Sequence, residues 1–253
     1  MILLFIVAGV VLAYLLETHL EGGSTKVFKP QNWFGRAPTG SWTYATRGRA
    51  SEITTYLGII GVLLSMWLAT NVPSMRFVGL SYMGFLTLWI IVWVAEIIKP
   101  ELMWTADIDV GSLDKWGKGF VLGGLVGAVL FAFANLKSLQ LVNLTMMKGM
   151  KPMLIFATTV LLAPLAETGF FNGTILPTVV EDFGIIPGVL FVGILFAGFH
   201  LFAYSANTLA LMIAFAFMVA TGLLTLYQRA FIGAWFAHII FNLLTFFAWM
   251  GAI

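Results

Sequence analysis

The sequence predicts an all-α fold, a polytopic transmembrane helical bundle of about eight membrane helices that forms a single membrane domain over residues 1–253. Three observations predict it. Hydrophobic residues make up 60% of the chain and charged residues only 9%, a balance outside the range of water-soluble domains. Apolar runs of roughly 16–25 residues, the length a bilayer core demands, recur about eight times. The polar residues gather in two connections, 18–51 and 99–118.

The apolar runs fall near 2–17, 53–71, 76–98, 119–135, 152–177, 187–204, 206–226 and 230–250. The first lacks a positively charged start and a small-residue cleavage site, so it reads as a retained membrane helix and not a removable signal. The polar segment 18–51 is rich in Gly, Pro and Thr, carries Trp33, Trp42 and Tyr44, and holds five of the thirteen Lys and Arg residues. Irregular structure at headgroup level, anchored by its aromatic rings, is the expectation there. The connection 99–118 mixes Lys99, Lys115 and Lys118 with Glu101, Asp107, Asp109 and Asp114, which suits a solvated loop. The helix count puts both connections on one side, and their excess of basic residues makes that side cytoplasmic. The fourth run is expected to continue amphipathically through Leu136–Met147.

Composition also excludes. A formal net charge of +2 is too small for a nucleic-acid partner. With no Cys in the chain, disulfides, Cys-ligated metals and a thiol nucleophile are ruled out. Membrane lipids are the partner that composition does imply.

Three motifs in the C-terminal half set polar side chains inside segments otherwise fit for lipid. They are Ala163-Pro164-Leu165-Ala166-Glu167 running into Phe170-Phe171-Asn172-Gly173, then Phe196 with His200, then His238 with Asn242. A charged group at the centre of a membrane helix costs about 2.5–3.5 kcal/mol to insert, so such residues imply a site facing the bundle interior. Glu167 lies too far from either end of its run to reach the interface, and a positioned carboxylate is what water activation needs. Pro164 removes a backbone hydrogen bond and crowds the carbonyl of Val160, which kinks or loosens the helix beside Glu167. His200 follows Phe196 by four residues and Asn242 follows His238 by four, so each pair shares a helix face. His238 and Asn242 together offer N–H groups to one point, the arrangement of an oxyanion hole.

These motifs, A-P-x-x-E-x-x-F-F-x-G, then F-x-x-x-H, then H-x-x-x-N, resemble in their order the CPBP intramembrane proteases. That family, also called the Abi group, comprises CAAX prenyl endopeptidases and bacteriocin-processing enzymes. The resemblance covers roughly 150–250, which it marks as a CPBP-like catalytic core. Residues 1–149 share only apolar helical character, apart from the polar loop 18–51. It implies a hydrolase in which Glu167 and His200 activate water while His238 and Asn242 hold the oxyanion, acting on a membrane-associated peptide or protein.

The family's first motif usually has a second Glu and, four residues later, an Arg. Here those positions hold Thr168 and Asn172. Losing both members together avoids an unpaired buried charge, worth about 3–5 kcal/mol, and leaves a neutral pair able to hydrogen-bond. This departure keeps a second reading open: an inactive relative serving as a binding subunit of a membrane-protein complex, for which 23 Phe and 9 Trp supply contact surface. No cofactor is assigned from the sequence. A divalent metal stays open, because two His and a Glu form a known catalytic ligand set. A pair of axial imidazoles for a haem would leave Glu167 and Asn242 without a purpose.

Overall fold

The computed structural model describes residues 57–64, 67, 113–136, 152–201, 204, 207–228 and 230–250. Every regular element among them is helical. The expected runs at 2–17 and 76–98, the polar loop 18–51 and most of 99–118 lie outside the described residues, as does the continuation through 137–147.

Helix α1 covers Leu113–Leu136. A continuous helical stretch follows, built from α2 (Pro152–Phe156), a π-helical turn (Ala157–Leu162), α3 (Ala163–Phe170), a second π-helical turn (Phe171–Ile175) and α4 (Leu176–Phe183). Then come α5 (Ile185–Phe199), α6 (Thr208–Gln228) and α7 (Ile232–Trp249). Among the described residues, four spans are long and apolar enough to cross a membrane: Trp116–Ala134, Pro152–Val180, Thr208–Gln228 and Ile232–Trp249. Helix α5 is apolar but shorter. The expected runs from 119 onward thus coincide with helices, whereas the total of about eight depends on segments outside the described residues.

Small residues decide how closely these helices approach. Gly119, Gly123 and Gly127 recur every four residues and place one face of α1 against α7. A Cβ on Gly123 would strike the carbonyl of Gly233, and one on Gly127 the carbonyl of Ala237. Between membrane helices, where lipid is as apolar as leucine, such backbone approach is a main source of packing energy. The opposite face of α1 carries exposed Val121, Leu125 and Val129. An apolar, uncovered face of this kind suits contact with acyl chains.

Gly184, at φ 90°, turns the chain between α4 and α5 in a conformation that a side chain would strain. The two helices then fold back on each other, with Gly188 of α5 against Val180 of α4. Behind the motif residues, Phe171 meets Phe170 edge-on at 5.2 Å and Phe196 edge-on at 5.1 Å. Each such aromatic pair is worth about 0.5–1.5 kcal/mol. They lock α3 and the following π-turn to α5, so that the site rests on packed helices and not on loops.

Candidate active site

Pro164 acts on the turn before it. Because proline has no N–H, the helix loosens by widening, and Ala157–Leu162 adopts π geometry. The N–H of Ala163 bonds to Thr158, five residues back. The carbonyl of Thr159 is then left over. Its α-helical donor, Ala163, is engaged elsewhere, and its π-helical donor would be Pro164, which has no hydrogen to give. Asn242 on α7 fills the gap: its Nδ2 donates to Thr159 O at 2.8 Å.

Glu167, on α3, is buried at 8% exposure. Two imidazoles from other helices converge on it. The Nε2 of His200 lies 3.5 Å from Glu167 Oε2, and the Nε2 of His238 lies 3.7 Å from the same oxygen. Three sequence-distant motifs thereby meet at one carboxylate.

The far side of each ring is held differently. His200 stands where α5 ends, and helix ends leave carbonyls without intrahelical donors. Its Nδ1 donates to Phe196 O at 2.8 Å, a carbonyl in the last turn that the His200 N–H reaches only at 3.3 Å. A carbonyl can only accept, so Nδ1 carries a proton, and in the neutral ring the lone pair is the one on Nε2, which faces Glu167. The ring is stacked on Tyr204 at 5.3 Å and packed on Phe196 at 4.4 Å. His238 instead has its Nδ1 3.2 Å from the hydroxyl of Thr168, with Phe217 against its ring at 4.9 Å.

Of the residues singled out in the sequence, the structure brings together Glu167, His200, His238, Thr168 and Phe196. The rest stand apart in specific ways. Thr168 and Asn172 do not pair with each other as their spacing had implied. Asn172 lies in the second π-turn, whose wider winding takes it off the line of Thr168. Asn172 Nδ2 donates to Thr225 Oγ1 at 3.3 Å, and Thr225 passes its own proton to Thr221 O at 2.9 Å. Asn242 commits an amide hydrogen to Thr159, so the amide is not simply held open beside His238.

Sequence reasoning missed three residues: Thr159 and Thr225, which anchor Asn242 and Asn172, and Tyr204, which stacks on His200. The i, i+4 spacing that paired Phe196 with His200 also reaches Tyr204. No sequence pattern pointed to the Thr159 carbonyl, because a main-chain oxygen leaves no mark in composition. Among the described residues, no group of three or more His, Cys, Asp or Glu side chains is arranged to hold a metal ion.

Residues 149–244 match the family described as type II CAAX prenyl endopeptidase Rce1-like. Glu167, His200, His238 and Asn242 all lie inside that Rce1-like segment, and α1 lies ahead of it. The resemblance to CPBP intramembrane proteases therefore holds where the site is built. No curated protein and no solved structure matches the chain. The four apolar spans, together with the match of 149–244 to a membrane-protease family, make this an integral, multi-pass membrane protein.

Proposed function

We propose that the protein is an intramembrane endopeptidase that hydrolyses a peptide bond of a membrane-associated protein or peptide. One observation carries the reading: two histidine Nε2 atoms from separate helices approach a single oxygen of the buried Glu167. A carboxylate placed among imidazoles inside a bilayer segment has a high insertion cost that a purely structural role leaves unexplained.

The protonation pattern supports a division of labour. Glu167 Oε2 and the lone pair of His200 Nε2 are neighbouring acceptors, so a water between them donates one proton to each. Its oxygen lone pairs then face outward to a scissile carbonyl. Attack forms the carbon–oxygen bond and moves the carbonyl π electrons onto the oxygen, while the water's proton passes to Glu167 or His200. Collapse of the intermediate expels the amine, which takes that proton and leaves a carboxylic acid, whose remaining proton is then lost to solvent to give the carboxylate. His238 is the oxyanion donor in this scheme. Asn242 joins it with its second amide hydrogen, since an amide has two and Thr159 takes one. The Rce1-like match makes a prenylated cysteine followed by three C-terminal residues the first substrate class to offer.

The test uses the full chain in lipid vesicles with a farnesylated peptide of that type and an unprenylated leader-like peptide, cleavage being read by mass spectrometry. Wild-type protein should cut one of them, and Glu167→Ala and His200→Ala should cut neither while accumulating normally. Undiminished turnover by Glu167→Ala would refute the mechanism.

A binding-subunit reading draws on a separate observation, the neutral bonds that Thr168 and Asn172 make where the family usually carries charge. A protein that cuts no peptide but co-purifies with a membrane partner would support it instead.

A further inference from the structure

Thr168 stands out among the threonines of these helices. Thr158, Thr159, Thr178, Thr221, Thr225 and Thr245 each return their hydroxyl proton to the carbonyl four residues back. This is the usual resting place for a threonine proton in a helix, most of all one away from water. Thr168 makes no such bond. Its one hydrogen bond is with His238 Nδ1, at 3.2 Å, between residues 2% and 6% exposed.

We infer that Thr168 is a positioning residue that sets the tautomer of His238, donating its hydroxyl proton to Nδ1 so that the ring carries its own hydrogen on Nε2. This rests on the proteolytic reading of the site only for its consequence in catalysis. One feature carries the assignment. The Thr168 hydroxyl has only Nδ1 as a partner; were it to accept from an Nδ1–H, its own buried proton, committed to no carbonyl, would be left without an acceptor. With Nδ1 accepting, the hydrogen of the neutral ring sits on Nε2, which faces Glu167 Oε2 at 3.7 Å.

The two site histidines are then opposite tautomers. His200, held by a carbonyl, presents a lone pair, and His238, held by a hydroxyl, presents an N–H. One is fit to take a proton and the other to donate a hydrogen bond to developing negative charge. A carboxylate at position 168, the family's usual residue there, would accept from Nδ1 and thereby fix a proton on that nitrogen. Replacing it with threonine thus changes which atom of His238 keeps the hydrogen in a neutral ring. The same assignment denies His238 Nε2 to a metal. A metal ligand at that atom needs a lone pair, with Nδ1–H donating to Thr168.

The experiment labels the histidines with nitrogen-15 in the full-length protein and reads their ring-nitrogen shifts in detergent or nanodiscs. With three His in the chain, His238→Asn identifies the signal. The expected wild-type spectrum shows His238 protonated on Nε2. An Nδ1-protonated His238 overturns the inference, whatever the variants do. Thr168→Val should lose the Nε2–H preference and lower kcat by roughly 10²–10³-fold with little change in KM, as loss of an oxyanion donor does. Thr168→Ser, which keeps the hydroxyl, should restore both within a few-fold. Wild-type shifts and turnover in Thr168→Val would also overturn it. A correct tautomer in a protein that cleaves nothing would sink the proteolytic reading and leave the Thr168 assignment standing.

Discussion

Asn242 and Thr159, 83 residues apart in sequence, are joined by a 2.8 Å hydrogen bond from a side-chain amide to a main-chain carbonyl that Pro164 leaves without a donor. The proline thus acts on the site at a distance: it frees the acceptor that orients a residue on another helix. Asn242→Ala removes both the proposed oxyanion donor and the satisfier of that carbonyl. Turnover should fall by about 10²–10³-fold, and stability by about 1 kcal/mol. Supplying the missing N–H should soften the second effect. In a double-mutant cycle, Asn242→Ala is therefore expected to destabilise the Pro164→Ala protein less than the wild type. Additive losses in thermal unfolding would count against this coupling.

Glu167 is the group on which both histidines converge. Glu167→Gln keeps the shape of the side chain but not its basicity, so cleavage should drop by at least roughly 10²-fold, within the range for loss of a general base. The protein should still accumulate and unfold cooperatively. A Glu167→Gln enzyme with wild-type kcat would move the role of base elsewhere.

The chain from Asn172 through Thr225 to Thr221 predicts a particular non-additivity. Thr225→Val leaves Asn172 with a buried, unmatched amide and should cost about 1–3 kcal/mol. Adding Asn172→Leu removes the stranded group, so the double variant should recover most of that loss. Chemical denaturation of the two singles and the double decides it, and a double variant as weak as the sum would rule the pairing out.

The contact between α1 and α7 carries a positional prediction. Gly123→Ala drives a methyl group into the Gly233 carbonyl, whereas Gly124→Ala meets nothing within 4 Å. The first should destabilise by about 1–3 kcal/mol, the usual range for overpacking, and should reduce cleavage because α7 carries His238 and Asn242. The second should behave as wild type. Equal thermal stability of the two variants would contradict the close approach.

Metal removal is a further check. Under the assigned tautomers His238 Nε2 cannot join Glu167 and His200 as a third metal ligand, so no two-His, one-Glu site forms and cleavage should survive exhaustive chelation unchanged. Loss on chelation with recovery on adding zinc would require the opposite tautomer.

Much of this could be read before any coordinate was in hand. Membrane residence followed from run length and charge, because a bilayer demands both. Glu167, His200 and His238 were legible because a polar group in an apolar run is expensive, and the i, i+4 rule put Phe196 beside His200. Pro164 was legible as a loosened turn, though not in its consequence. Which atoms meet was not legible. Spacing along a regular helix pairs Thr168 with Asn172, but Asn172 lies in a π-turn, and Thr168 meets His238 while Asn172 meets Thr225. Composition cannot record a carbonyl left without a donor, so nothing in the motif of Asn242 pointed to Thr159. The sequence by itself determined a membrane bundle and the residues that cannot be there for lipid. Only the tertiary structure decided their partners, because a hydrogen bond depends on directions that local winding changes by a fraction of a turn.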